Sequence, residues 1–239
     1  MVYLIHIPYS KEKAVETLNK AFLKKYVTPL KLFRLSYWGY GGLSYYLLRN
    51  SVIQFIVIDS FLAYLAIEIG LFYLKTNKKL FFLLWLLFFP NNTYLYTDII
   101  HVSRLSFYPT NSLIMTLNPT TWLCFFWMLL GIFLLIYVGN LLIRQISDCL
   151  KRNYELNHQK CFLVNGLFLL LFSFGTYIGR FLRFNTIDLF SKPLTVLSKI
   201  FYSLNIDACL FIASMTIFQL IIFFFLTHEH KSFMHRSNQ

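Results

Sequence analysis

Residues 121–143 run without a single charged side chain. As a helix rising about 1.5 Å per residue, such a stretch matches the ~30 Å hydrocarbon thickness of a bilayer. Comparable stretches fall at about 30–48, 52–74, 80–102, 161–179 and 203–226. Together they predict an all-α polytopic membrane bundle of six transmembrane helices. The first span is the weakest, because it is rich in Tyr and Gly and holds Arg34. It reads as a crossing or as an interfacial segment.

Composition excludes the soluble alternative. The chain is 57% hydrophobic and 20% aromatic but only 13% charged, where a soluble domain carries about a quarter charged residues. Mean hydropathy is +0.58. Barrel strands would show short alternating segments, and none are evident. The formal charge of +12 does not point to nucleic acid, because the basic residues flank the spans. It points to the lipid bilayer and its anionic headgroups as partners. With the N-terminus inside, sixteen of the 22 Lys and Arg fall on the inner side. The excess of positive charge inside then places both termini in the cytoplasm.

Residues 1–29 read as a cytoplasmic segment with no signal peptide. Within it, residues 10–26 predict an amphipathic helix, capped by Ser10, with Val15, Leu18, Phe22 and Tyr26 on one face. Residues 227–239 read as a cytoplasmic tail. Cys124, Cys149, Cys161 and Cys209 form no C-x-x-C pair, so neither a disulfide framework nor a zinc site is expected.

The third span is the most informative. Its apolar part, Leu80 to Phe89, would cover only roughly 15 Å at the helical rise. The crossing is completed by Pro90-Asn91-Asn92-Thr93-Tyr94-Leu95-Tyr96-Thr97-Asp98-Ile99-Ile100-His101. Pro90 removes a backbone donor and breaks or kinks the helix. A polar, broken helix is tolerated at membrane depth only against protein or a water-filled cavity. Asn91, Tyr94, Asp98 and His101 stand on one helical stripe.

A second polar cluster closes the fifth span, at Gly175 to Asp188. It carries a small-residue step, Gly175 and Gly179, which allows close helix approach. It also carries Arg180 and Arg183, with Asp188 beyond. Asp59 and Glu68 are intramembrane acids of the second span, and only Asp59 lies near the outer cluster. The two arginines are its expected partners.

The runs WLLFFPNNTYLYTDIIH (Trp85 to His101) and SFGTYIGRFLRFNTIDL (Ser173 to Leu189) resemble the two signature blocks of a bacterial "predicted membrane protein" family of unknown function, DUF1361. Asp59 to Tyr64 resembles a third, looser block, and the resemblance covers about residues 45–226. Two positions depart from the family pattern. Trp122 is followed by Leu123 and Cys124 where an acid is usual, and Phe184 and Ile187 stand where a Trp is usual. The resemblance implies a fold, a site location and a bacterial plasma membrane, and no reaction.

The expected site combines His101 and Asp98 as an acid–base pair with Arg180, Arg183, Asn91, Tyr94, Asp59 and Asp188 as substrate-binding residues. The bland alternatives stay open beside it. The polar stretch satisfies its own backbone and neighbours, the arginines snorkel to headgroups, and Asn185 with Asp188 forms a helix cap. No cofactor is predicted, and a metal at Asp98 and His101 is the minor alternative. The functional readings are an enzyme acting on a lipid or lipid-linked envelope substrate, a non-catalytic binding or accessory membrane protein, and, third, a small-solute transporter.

Overall fold

A computed structural model describes residues 27–47, 51–108, 114–184, 186 and 188–236. The helix expected over 10–26 and the cap at Asn185 lie outside the described residues. Among those residues the protein is all-helical. In chain order the helices are α1 (Val27–Leu47), α2 (Ser51–Thr76), α3 (Lys79–Phe88) and α4 (Pro90–Asp98). A 3₁₀ segment, Ile99–Arg104, follows α4. Then come α5 (Pro119–Tyr154) and α6 (His158–Tyr177), and α6 passes into a widened π-helical turn, Ile178–Leu182. The chain ends with α7 (Asp188–Ser191), α8 (Pro193–Ser203) and α9 (Ile206–Arg236).

Among the described residues four helical stretches are long and apolar enough to cross a membrane: Ile56–Thr76, Pro119–Tyr154, His158–Leu182 and Ile206–Leu226. The other two expected spans differ for different reasons. The first is a continuous helix, α1, but its Tyr, Gly and Arg34 dilute its hydropathy. The third is broken in two at Phe89, with Pro90 opening α4. A proline at the first helical position is well placed, since that backbone donor has no intrahelical partner anyway. The last helix continues past its expected end at residue 226 to Arg236.

The long helices begin where capping chemistry allows. Asn118 accepts hydrogen bonds from the Thr120 and Thr121 amides at the start of α5. Asn157 accepts from the Lys160 amide at the start of α6. Each satisfies backbone donors that a helix start leaves unpaired.

The core sits around the break. Trp85, Phe89 and Phe172 are fully buried and pack together, with ring centroids 5.1 Å apart for Trp85–Phe89 and 4.6 Å for Phe89–Phe172. This aromatic knot fixes the end of α3 against α6. Helix α4, just beyond it, packs against α2, α5 and α6. Among the described residues the polar helix α4 is thus an enclosed one, with Asn92, Thr93, Leu95, Tyr96 and Asp98 buried. In an apolar solvent that is the arrangement expected, because packing and interhelical hydrogen bonds, rather than burial of apolar surface, hold helices together there.

Candidate functional site

Helix α4 directs polar side chains to two neighbouring helices, α5 and α6. The Asn92 amide donates to the Leu135 carbonyl at 3.0 Å, on α5. It sits where Gly139 leaves room, and a Cβ at Gly139 would collide with that amide. Thr93 and Thr176 share a hydroxyl hydrogen bond of 2.8 Å, on α6. Tyr96 accepts from the Asn140 amide at 2.9 Å, again on α5. These groups account for the polarity of α4 at depth. Of them, Asn92, Thr93 and Tyr96 are buried.

Arg180 is the centre of the site. It stands in the widened turn after α6, and such π-type turns shift the direction of the side chains that follow. Its Nε and Nη2 donate to Thr97 Oγ1 at 3.0 and 2.5 Å. Nη2 also donates to Asp98 Oδ1 at 2.5 Å. Its guanidinium carbon lies 3.7 Å from the Tyr94 ring centroid. One arginine thus makes an ion pair, a hydroxyl contact and a cation–π contact on a single helix. Asp98 is fully buried, and the Arg180 side chain retains only 18% exposure.

Arg183 takes no part in this. Its backbone is left-handed, with φ 55°, and its side chain is exposed. The two arginines read as a pair in the sequence are separated by the widened turn and the left-handed residue that ends it. His101 follows Asp98 on the 3₁₀ segment, where residues three apart stand one above the other. His101 Nε2 lies 3.7 Å from Asp98 Oδ1, which is an ion-pair distance and too long for a hydrogen bond. Asp188 opens the short helix α7.

Beside this cluster lies a cavity of about 520 Å³. Its walls come from α2, α3, α4, α6, the widened turn and α8. Along the broken helix the lining residues run Leu83, Leu86, Leu87, Pro90, Asn91, Tyr94. The wall therefore passes from apolar to polar in one direction. Asp59 and Thr186 join the polar end, and Leu62, Leu171, Phe174 and Ile178 the apolar walls. Leu83, Leu171 and Leu197 are also exposed on the outer surface, so the cavity has an apolar rim. Asp59 lies within electrostatic range of Asp98 and Arg180. Its Oδ2 is buried without a hydrogen-bond partner among the described residues.

The small-residue step has a clear use here. A Cβ at Gly175 would stand 2.5 Å from Pro90 Cγ, and Gly179 faces the Tyr94 ring at 3.5 Å. Gly175 of α6 and Gly179 of the widened turn thus seat the proline and tyrosine of α4.

Of the residues expected at one site, Asp98, His101, Arg180 and Tyr94 are brought together. Asp59, Asn91 and Tyr94 share the cavity. Arg183 and Asp188 are in neither the Arg180 contacts nor the cavity wall. Sequence reasoning missed Thr97, which holds Arg180, and Asn92, Thr93 and Asn140, whose partners lie on other helices. The signal available for Asn92, Thr93 and Thr97 was the same polar run in α4, whereas Asn140 stands in the apolar run of α5. Among the described residues no three His, Cys, Asp or Glu are grouped to hold a metal.

The fold and this polar core define an all-helical protein with apolar helices compatible with a membrane. The chain belongs to the family described as "Protein of unknown function (DUF1361)", whose profile matches residues 58–222. That match takes in Asp59, all of α4 and the Arg180 turn. No curated protein and no solved structure matches the chain.

Proposed function

We propose that this chain is a multi-pass plasma-membrane protein that holds an amphiphile, a lipid or lipid-linked envelope compound, in the cavity beside α4. The observation that carries the reading is the cavity's polarity gradient, from Leu83 and Leu86 to Asn91, Tyr94 and Asp59. Ligand sites of this size are mostly apolar, with a few placed polar groups. An apolar rim at Leu83, Leu171 and Leu197 favours entry from lipid rather than from water. The binding role is favoured over catalysis by His101 and Asp98, because Asp98 is held by Arg180 and neither residue is in the cavity wall. In this reading the Arg180–Asp98 pair shapes the site and Arg183 meets anionic headgroups. The test is whether lipid remains bound when Leu86→Trp fills the cavity.

Six crossings, with both termini in the cytoplasm of a bacterial cell, fit this reading best. α3, α4 and the 3₁₀ segment together run from Lys79 to Arg104, long enough for one broken crossing. In α1 the charge of Arg34 is matched by a bidentate pair with Glu68 of α2, at 2.7 and 2.6 Å. This partner suits Arg34 to membrane depth. Glu68→Ala is accordingly expected to cost more than about 1 and up to about 2.5–3.5 kcal/mol, the upper figure being that for an unmatched arginine at the centre of a spanning helix. A pair on a water-facing helix is worth about 1 kcal/mol or less. Thermal melts in detergent of Glu68→Ala and of the swapped Arg34→Glu/Glu68→Arg protein measure this. A loss below ~1 kcal/mol, or no recovery on swapping, removes the support for α1 as a crossing.

Orientation is checked separately. In a background with Cys161 and Cys209 replaced by serine, an impermeant thiol reagent added to intact cells is expected to label Ser106→Cys and not Gln159→Cys. The opposite pattern reverses the topology.

A further inference from the structure

We infer that the cavity selects amphiphiles whose headgroup donates hydrogen bonds, an amine or a hydroxyl, over those with an anionic phosphate. This inference rests on the cavity being an amphiphile site and adds which chemistry it prefers.

The polar end of the cavity is rich in acceptors. Asn91 donates one N–H of its amide to the Phe88 carbonyl at 2.8 Å, which leaves its Oδ1 as an acceptor beside its second N–H. Asp59 contributes a carboxyl group whose Oδ2 is buried and has no hydrogen-bond partner among the described residues. A buried carboxyl oxygen of this kind is costly unless a donor reaches it. Two cations approach the wall: Lys199 lies over the Phe184 ring, 5.2 Å from its centroid, and the other is already committed. Arg180 is bound to Thr97 and Asp98 and stacked on Tyr94. Two acids, Asp59 and Asp98, therefore face one arginine that has closed on the second of them. Arg183 acts on Tyr94 electrostatically but is exposed and is not in the cavity wall. A phosphate entering the cavity would meet the Asp59 and Asn91 oxygens, with only the Tyr94 and Thr186 hydroxyls and one Asn91 N–H to donate to it, and no guanidinium, since Arg180 is closed on Asp98. An ammonium or hydroxyl would satisfy them.

The gradient of the wall sets how such a molecule lies. Its tail runs along Leu86 and Leu83, and its headgroup stops at Asn91 and Asp59. The headgroup then sits on the stretch of α4 that Pro90 opens, where the aromatic knot ends.

The test uses the full chain in vesicles of neutral phosphatidylcholine. Dodecylamine, dodecanol and dodecyl phosphate, each with a diazirine at the tail end, are photocrosslinked, and the adducts are mapped by peptide mass spectrometry. Amine and alcohol are expected to label residues 83–90 and 171–178 about tenfold more than the phosphate, as one charged hydrogen bond gained or lost implies. That preference is expected to vanish in Asp59→Leu and to fall for the amine in the near-isosteric Asp59→Asn. Leu86→Trp is expected to abolish labelling by all three. If the phosphate labels best, or the preference survives both Asp59 variants, the inference on headgroup chemistry is overturned and the cavity reading stands. If no probe labels these residues, or Leu86→Trp changes nothing, the cavity reading itself fails.

Discussion

Arg180→Ala is expected to cost the solubilised protein about 3–5 kcal/mol, the loss that follows when one member of a buried ion pair is removed. The size comes from what is left behind. Asp98 is fully buried, so its carboxylate cannot turn to solvent for a replacement. Thr97 and the Tyr94 ring lose their partner in the same step. The pair is also the main charged link between α4 and the end of α6. Replacing both members by apolar residues of similar volume, Asp98→Leu with Arg180→Met, is expected to recover most of the loss, because no charge is then stranded. Thermal unfolding of the two variants beside the parent checks this. A single variant within about 0.5 kcal/mol of the parent would mean that the pair does not hold the site.

The second large effect lies where α5 meets α4. Gly139→Val is expected to destabilise by about 1–3 kcal/mol, the range for overpacking a filled core. A side chain there strikes the Asn92 amide and threatens its hydrogen bond to the Leu135 carbonyl. Gly166 on α6 is the control, because nothing lies within 4 Å of its would-be Cβ. Gly166→Ala is expected to be neutral or to stabilise by up to about 1 kcal/mol, through the ordinary helix preference for alanine. Melting temperatures of the two variants should move in opposite directions. A shared direction would show that close approach at Gly139 is not what that glycine provides.

Pro90 makes the break in the third span legible from the amino-acid sequence alone. The chemistry is local: a missing donor, an apolar run too short to cross, and polar residues straight after it. Gly175 and Gly179 are legible as a close-approach face, and they meet Pro90 and Tyr94. What cannot be read in this way depends on neighbours distant in sequence. Glu68 gives no sign of pairing with Arg34, because the order of helices around α2 decides it. Asn92 reads like Asn91 in sequence, yet one bonds across to α5 and the other back to its own helix. Arg180 and Arg183 look equivalent at a spacing of three. The widened turn and the left-handed backbone at Arg183 part them, and the left-handed residue is an arginine rather than the glycine that would announce it. The cavity is a product of several packed helices and the turn after α6, and no single segment encodes it.

The chain and its Leu86→Trp variant, purified in the same mild detergent, can be compared by native mass spectrometry. The account predicts a bound lipid on the parent chain that survives delipidating washes and is absent from the variant at equal folded yield. The same lipid adduct on both proteins, or none on the parent, would contradict the claim that the cavity beside α4 holds an amphiphile.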